Sequence, residues 1–320
     1  MKRMGAVIAV LLTVGIIFNA GLAKADNYPT KSIKVVVPYS AGGGTDTIAR
    51  AIGKFVELNK PFVVTNITGG GAKIGTMEVA GSKPDGYTLL MHSVTAVASG
   101  YHAGLYDTKI WKDLKPVASM TSMVGCIAVK ADSPYKTIGD LIAFAKANPG
   151  KVSAGVSGIG GGAHIIVAVF ADVAGVKLNY VPFAGASNTR AALMGGHVDM
   201  AAAFISEVYD FVKSGNLRVL ATTGSARSSD LPDVPTFQES GIDFVLHHRN
   251  GIFAPKGTSD DVIKVLDDAL QLVADNKEFQ NVLKGMLIDS AYLSSDDFTV
   301  ELEKLDKMIE PIAPLIRAKK

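Results

Sequence analysis

The chain has 320 residues, 32 Lys and Arg against 30 Asp and Glu, and a hydrophobic content of 48%. A formal charge of only +2 argues against a nucleic-acid binder, and the one cysteine, Cys126, rules out an intramolecular disulfide, so a hydrophobic core has to hold the fold. The length carries a soft prior for two domains.

Lys2 and Arg3 precede an apolar run from Gly5 to Phe18, which is followed by Ala23-Lys24-Ala25. A basic start, a short apolar segment and a small-x-small site predict a signal peptide over residues 1–25, cleaved before Asp26, and hence a periplasmic protein. About 14 apolar residues fall short of the roughly 20 that a bilayer crossing requires, which disfavours a membrane anchor. Losing Lys2, Arg3 and Lys24 with no acidic residue leaves the exported chain at −1, so neither nucleic acid nor an anionic membrane surface is an expected partner. Cys126 lies in the apolar run Val124 to Val129 and reads as a buried thiol.

From Ile33 the chain alternates apolar runs with amphipathic stretches. Strands are predicted at Ile33 to Val37, Phe62 to Val64 and Tyr87 to Met91, and helices at Thr45 to Leu58 and Ile74 to Ala80. This βαβαβ order predicts a parallel sheet with helices on both faces. The pattern restarts after Pro116: a strand around Ile127, a capping box at Thr137-Ile138-Gly139-Asp140 opening a helix that ends near Asn148, and a strand at Val152 to Ala154. A helix from Ala163 to Ala174, strands at Leu178 to Val181, Val198 to Phe204 and Leu217 to Thr222, and a helix near Thr189 to Met194 complete a second α/β unit.

Beyond the proline-rich loop Leu231 to Pro235, strand-like runs at Phe244 to His248 and Ile252 to Pro255 lead to helices at Ser259 to Asp275, Glu278 to Lys284 and Asp296 to Ile309. With no strand expected between them, these helices should cover the first sheet. The chain would then cross between two lobes near Met123 to Gly125 and return near His247 to Gly251, making a two-segment hinge. The expected domains are residues 26–124 with 250–320 as lobe 1 and 125–249 as lobe 2.

Two strand–glycine–helix turns stand out. In the first, Val37 runs through Pro38 to Gly44 into a helix start, where unpaired N–H groups and the positive end of the helix dipole would meet an anion at the strand's carboxyl end. Asp46 and the glycines could instead only cap and turn. The second, Ser157 to His164, matches G-x-G-x-x-A from Gly158, but Leu178 to Phe183 lacks the acid that would hold a ribose, which argues against a dinucleotide. His164 is expected to be a neutral group that fixes this loop. No two histidines stand at metal-ligand spacing, and no G-x-S-x-G, H-E-x-x-H or P-loop motif occurs, so no cofactor, metal site or catalytic residue is expected and the chain is read as a non-enzyme.

Several segments occur together in an order of their own: Tyr28-Pro29-Thr30-Lys31, Val37 to Gly43, Gly69-Gly70-Gly71 with Gly75, Pro84 to Leu90, Ser157-Gly158 with His164, and Gly195 to Asp199. Leu231 to Thr236 with Glu239-Ser240-Gly241, and Ala254-Pro255-Lys256-Gly257, follow them. Together they make the whole exported chain resemble the extracytoplasmic receptors of tripartite tricarboxylate transporters, the Bug-type binding proteins. That resemblance implies an α/β type II periplasmic binding-protein fold, two lobes with a ligand cleft and a two-segment hinge. It also implies capture of a small carboxylate for membrane transporter subunits by a monomer. Carried over by position, the ligand contacts fall on Tyr39, Ala41, Gly42, Gly43, Thr45 and Asp46, and on Ser157, Gly160, Gly161 and Gly162. Ser93, Thr95, Ala184, Gly185 and Ser206 follow in rank.

Two positions depart from the family's habit. Gly161 stands where a hydroxyl residue is frequent and would enlarge the pocket, and Arg249 stands where an aromatic is frequent, as a carboxylate clamp or a solvated charge near the hinge. A sensor of the same fold, and an exported hydrolase with scattered catalytic residues, stay open as rivals. Reduced induction of a pathway without reduced uptake would favour the first, and turnover of the ligand the second.

Overall fold

In a computed structural model, residues 27–183 and 185–317 are described; the expected signal peptide lies outside them, as does Ala184. The first half of the molecule follows the βαβαβ order. Strand β1 (Ile33–Val37) leads into α1 (Gly44–Phe55), then come β2 (Phe62–Asn66), α2 (Lys73–Ala80), β3 (Thr88–Ser93) and the short α3 (Val94–Ser99). Strand β1 sits between β2 and β3, parallel to both, because each connection passes through a helix lying on the sheet.

The second half is built on β4 (Leu114–Lys130), a 17-residue strand. It is followed by α4 (Ile138–Ala147), β5 (Ser153–Ser157), α5 (Gly162–Val173), β6 (Asn179–Phe183), α6 (Ala186–Met194), β7 (Met200–Phe204), α7 (Ile205–Lys213) and β8 (Leu217–Thr222). The capping box read from the sequence opens α4: the Thr137 hydroxyl accepts from the Asp140 N–H at 3.1 Å, and the Asp140 carboxylate accepts from the Thr137 N–H at 2.9 Å.

Strand β9 (His247–Pro255) then returns to the first half, and α8 (Asp260–Asp275), α9 (Lys277–Gly285), β10 (Asp289–Leu293), α10 (Ser295–Ile309) and α11 (Ala313–Ile316) close the chain. The order across the curled sheet is β2-β1-β3-β9-β4-β7-β5-β6, with β8 and β10 also on β4. The run read as two strands before Pro255 is the single β9. The final helices are interrupted by β10, which pairs antiparallel with β4 and which its partly exposed edge residues had concealed.

Strand β4 changes partners along its length. From Leu114 to Val124 it pairs with β9, and from Gly125 onward with β7 and β8, so one continuous ladder belongs to both halves of the sheet. The core around β1, α1, α8 and α9 includes Val35, Ile48, Ile52, Leu266 and Phe279, while α3 and α10 cover the opposite face through Val94, Phe298 and Leu302. Helix α10 comes so close to β9 that Phe298 lies over Gly251, which has no side chain to keep it away.

Candidate functional site

A cleft of about 750 Å³ opens where the two halves of the sheet meet. One wall is the β1–α1 turn. Gly42 takes φ +78°, a left-handed conformation that suits glycine, and the Gly43 N–H donates to the Ser40 carbonyl at 3.2 Å to tighten the turn. Gly43 precedes α1 with no side-chain cap, so among the described residues the N–H groups of Gly44 and Thr45 have no acceptor. Both residues border the cleft.

Asp46 is the clamp of this turn. Its buried carboxylate accepts from the Gly42 N–H at 2.8 Å, Asn66 Nδ2 at 2.8 Å and Arg50 Nε at 2.9 Å, and Asn66 also donates to the Tyr39 carbonyl. These donors, the Arg50 guanidinium first, hold the Asp46 carboxyl at about 2 against an ordinary 3.8. The folded state therefore binds this proton less readily than the unfolded chain, and the contribution is present above about pH 4 and lost as pH falls through about 2. In urea melts, the stability advantage of wild type over Asp46→Asn should shrink by about 1–2 kcal/mol between pH 5 and pH 2, less than the full shift because Arg50 is exposed to screening solvent. A constant advantage across that range would contradict this account.

The facing wall comes from the second half. Ser157 ends β5, Gly185 to Asn188 and Arg190 belong to the start of α6, and Phe204, Ser206 and Glu207 to the start of α7. Gly185 precedes α6 at φ +152° and ψ 173°, a region essentially confined to glycine, and again no side chain caps the helix. The N–H groups of Ala186, Ser187 and Asn188 thus have no acceptor among the described residues. Arg190 stands one turn on. Its Nη1 donates to the Glu207 carbonyl at 2.9 Å and its guanidinium lies 4.6 Å from the Phe211 ring centroid, which holds the group at the cleft wall.

His248 and Asn250 of β9, Met123 of β4, and Met286 and Ile288 after α9 complete the lining. Asn250 Oδ1 accepts from the Thr45 hydroxyl at 3.1 Å, and the His248 ring stacks on Phe204 with centroids 4.4 Å apart. Burial pushes His248 down to about 4, so it is neutral at pH 7. The Glu207 carboxyl, which burial raises, accepts from the Phe204 N–H at 3.0 Å. Two uncapped helix N-termini and the Arg190 guanidinium border the cleft and would favour an anion there, while the Asp46 charge is balanced by Arg50 and the Glu207 carboxyl is turned to the Phe204 N–H.

Of the residues singled out in the sequence, Tyr39, Gly42, Gly43, Thr45, Ser157, Gly185 and Ser206 line this cleft. Asp46 stands behind the wall as its clamp, and Ala41 is exposed outside it. Ser93 caps α3 by accepting from the Ala96 N–H, and Thr95 is buried with its hydroxyl 3.4 Å from His248 Nδ1. Gly160 is turned elsewhere: its N–H donates to His164 Nδ1 at 3.0 Å and its carbonyl accepts from Ser99 Oγ at 2.5 Å. A side chain on Gly160 would come within 2.7 Å of Ala103, so its glycine serves the close approach of this loop to the α3 segment. Gly161 precedes α5, and Gly162 packs on His248 and Phe204 beneath the cleft. His164 is the neutral loop-fixing group expected, lowered to about 4 by burial.

Arg249 points the other way. Strand alternation gives His248 and Asn250 to the cleft and Arg249 to the opposite face, where its Nη1 donates to the Ala291 carbonyl of β10 at 3.0 Å. Of the two roles open to Arg249, that geometry does not support the clamp. Arg190, Ser187, Asn188, His248 and Asn250 were missed. The run Gly185-Ala186-Ser187 before a helix carried the same signal as Gly42 to Thr45, and would have led to Arg190 one turn later.

Residues 48–313 match the sequence profile of the tripartite tricarboxylate transporter family receptors. The chain belongs to that family. Protein BugT of Bordetella pertussis is 34% identical over 276 residues, covering 83% of this chain and 83% of BugT. The crystal structure of a TctC solute-binding protein from Polaromonas, solved without ligand, superposes with a TM-score of 0.77 at 29% identity, over 91% of this receptor and 99% of that chain. MatC from Rhodopseudomonas palustris, solved with bound malate, shares the fold at a TM-score of 0.76 and 24% identity, over 91% of this receptor and 100% of MatC. The two-lobe α/β architecture expected from the sequence is therefore that of periplasmic solute-binding receptors, and the cleft of this receptor lies between the two halves of its sheet.

Proposed function

We propose that this receptor captures a small carboxylate in its cleft and presents it, closed, to the membrane subunits of a secondary transporter. One observation carries the reading: the starts of α1 and α6, each without a side-chain cap, border one cleft from opposite halves of the molecule. A carboxylate between them would accept N–H groups from both, and Arg190 adds a full positive charge. MatC with its malate supports the reading through the shared fold.

Capture that drives closure requires the ligand to touch both halves, since only the added contacts favour the closed form. In this proposal residues 26–124 and 250–320 form lobe 1 and residues 125–249 form lobe 2. The hinge lies where β4 leaves β9 for β7 and where the chain enters β9. The exported form begins at Asp26 and acts as a monomer, free to open and close. Sixteen residues were proposed for the site from the sequence, and the cleft supports seven of them as direct contacts, with Arg190, Ser187 and Asn188 added.

Isothermal titration of the mature chain against di- and tricarboxylates and aromatic acids is the test. A ligand present at about 100 times its dissociation constant should raise unfolding stability by roughly 2.7 kcal/mol. It should also be recovered with unchanged mass after incubation. A panel in which no acid binds, or a ligand that is turned over, would overturn the proposal.

A further inference from the structure

The imidazole of His248 sits at the cleft floor with its two nitrogens in unlike settings. The Nδ1 edge faces protein: Thr95 Oγ1 lies 3.4 Å away, and α5 begins so close that a Cβ on Gly162 would stand 2.6 Å from Nδ1 and 3.2 Å from Cε1. Phe204 covers one face of the ring. These contacts hold the ring against flipping. The opposite edge, with Nε2, has no hydrogen-bond partner among the described residues and borders the cleft.

Thr95 fixes the proton. Its hydroxyl is fully buried, and among the described residues Nδ1 is the one group to which it can give its hydrogen. A buried hydroxyl left without an acceptor is costly, which favours the arrangement in which Thr95 donates across this 3.4 Å contact and Nδ1 accepts. Because the ring is neutral, its single proton then resides on Nε2 and points into the cleft. The result is a directed donor that carries no charge.

We propose that His248 is a specificity-determining residue: its Nε2–H meets a second oxygen of the captured acid, so the receptor takes carboxylates bearing a further oxygen acceptor, such as dicarboxylates or oxo acids. This rests on the carboxylate reading above. The helix N-termini and Arg190 hold the first carboxylate, and a ligand that lacks the second oxygen leaves the Nε2–H desolvated and unpaired on closure.

The test uses the mature chain, with succinate against butyrate and adipate against hexanoate as matched probes. Long-range nitrogen–proton NMR, with His248→Gln supplying the assignment, should place the His248 proton on Nε2 in the free protein. Adding the bound dicarboxylate should shift that nitrogen. In titration, His248→Leu should weaken the dicarboxylate about tenfold or more while leaving the matched monocarboxylate within about threefold, and His248→Gln, which retains a side-chain N–H, should restore most of the loss. A proton on Nδ1 overturns the proposal, and that readout stands even if His248→Leu fails to fold. So does an equal loss for both members of a pair. Dicarboxylate binding unchanged in His248→Leu overturns this inference alone, whereas absence of any binding to wild type overturns the carboxylate reading together with it.

Discussion

Asp46→Ala is expected to lose at least tenfold in ligand affinity and about 2–3 kcal/mol in stability, although the carboxylate it removes never reaches the cleft. The substitution releases three donors at once: the Gly42 N–H, Asn66 Nδ2 and Arg50 Nε. Asn66 then loses the anchor that lets it hold the Tyr39 carbonyl, and the Gly42 turn loses the bond that aims Gly44 and Thr45 into the cleft. Wrong aim is costly here because backbone N–H groups cannot be repositioned by choosing another rotamer. Asp261→Ala is the control. That carboxylate is exposed in the first turn of α8, where its loss should cost under about 1 kcal/mol and leave affinity unchanged. Urea melts and titration calorimetry on both variants read the contrast, and equal effects would remove Asp46 from any role in capture.

The first wall of the cleft was legible because one local pattern contains it: a buried strand, a glycine turn and a helix start within twelve residues, from Val35 to Asp46. The second wall is legible only in part: Ser157, Gly185 and Ser206 stand among the candidates, but the glycine run after Ser157 takes most of the weight. The run at Gly158 to Gly162 is richer than the one at Gly185, but Gly160 and Gly162 are needed for close approaches to Ala103 and His248, contacts with residues distant in the chain that local sequence does not announce. Alternation along a strand puts neighbours such as His248 and Arg249 on opposite faces. Which face meets ligand depends on how β9 lies in the sheet, and only the fold decides that.

The long β4 hid for a related reason. Its centre, Ser119 to Ser122, carries hydroxyl residues that interrupt the apolar pattern, yet Ser119, Thr121 and Ser122 are buried where β9 and β10 flank the strand. The sequence places a strand around Ile127, and nothing local announces that its ladder begins at Leu114. Helix α7 was overlooked because its nine residues follow β7 without a break, with Glu207 capping the junction through the Phe204 N–H.

Gly75→Ala and Gly53→Ala make the same change in two helices and should have opposite effects. A methyl group generally favours a helix over glycine by about 0.5–1 kcal/mol, because the unfolded chain has fewer conformations to lose. At Gly53, in α1, the new Cβ would meet Phe62 at 3.5 Å, an ordinary contact, so the full gain is expected. At Gly75, in α2, it would stand 2.5 Å from the Ile67 carbonyl and 3.1 Å from Pro38 Cβ. Neither neighbour can yield: Ile67 is bound to β1 through its N–H to the Val37 carbonyl at 3.0 Å, and the Pro38 backbone leads directly into the cleft wall at Tyr39. The overpacking should cost about 2–3 kcal/mol net and weaken capture, because relief requires moving the segment that presents Gly44 and Thr45. Urea midpoints on the two variants decide it, and a Gly75→Ala protein as stable as wild type would mean that α2 can shift without disturbing the β1–α1 turn.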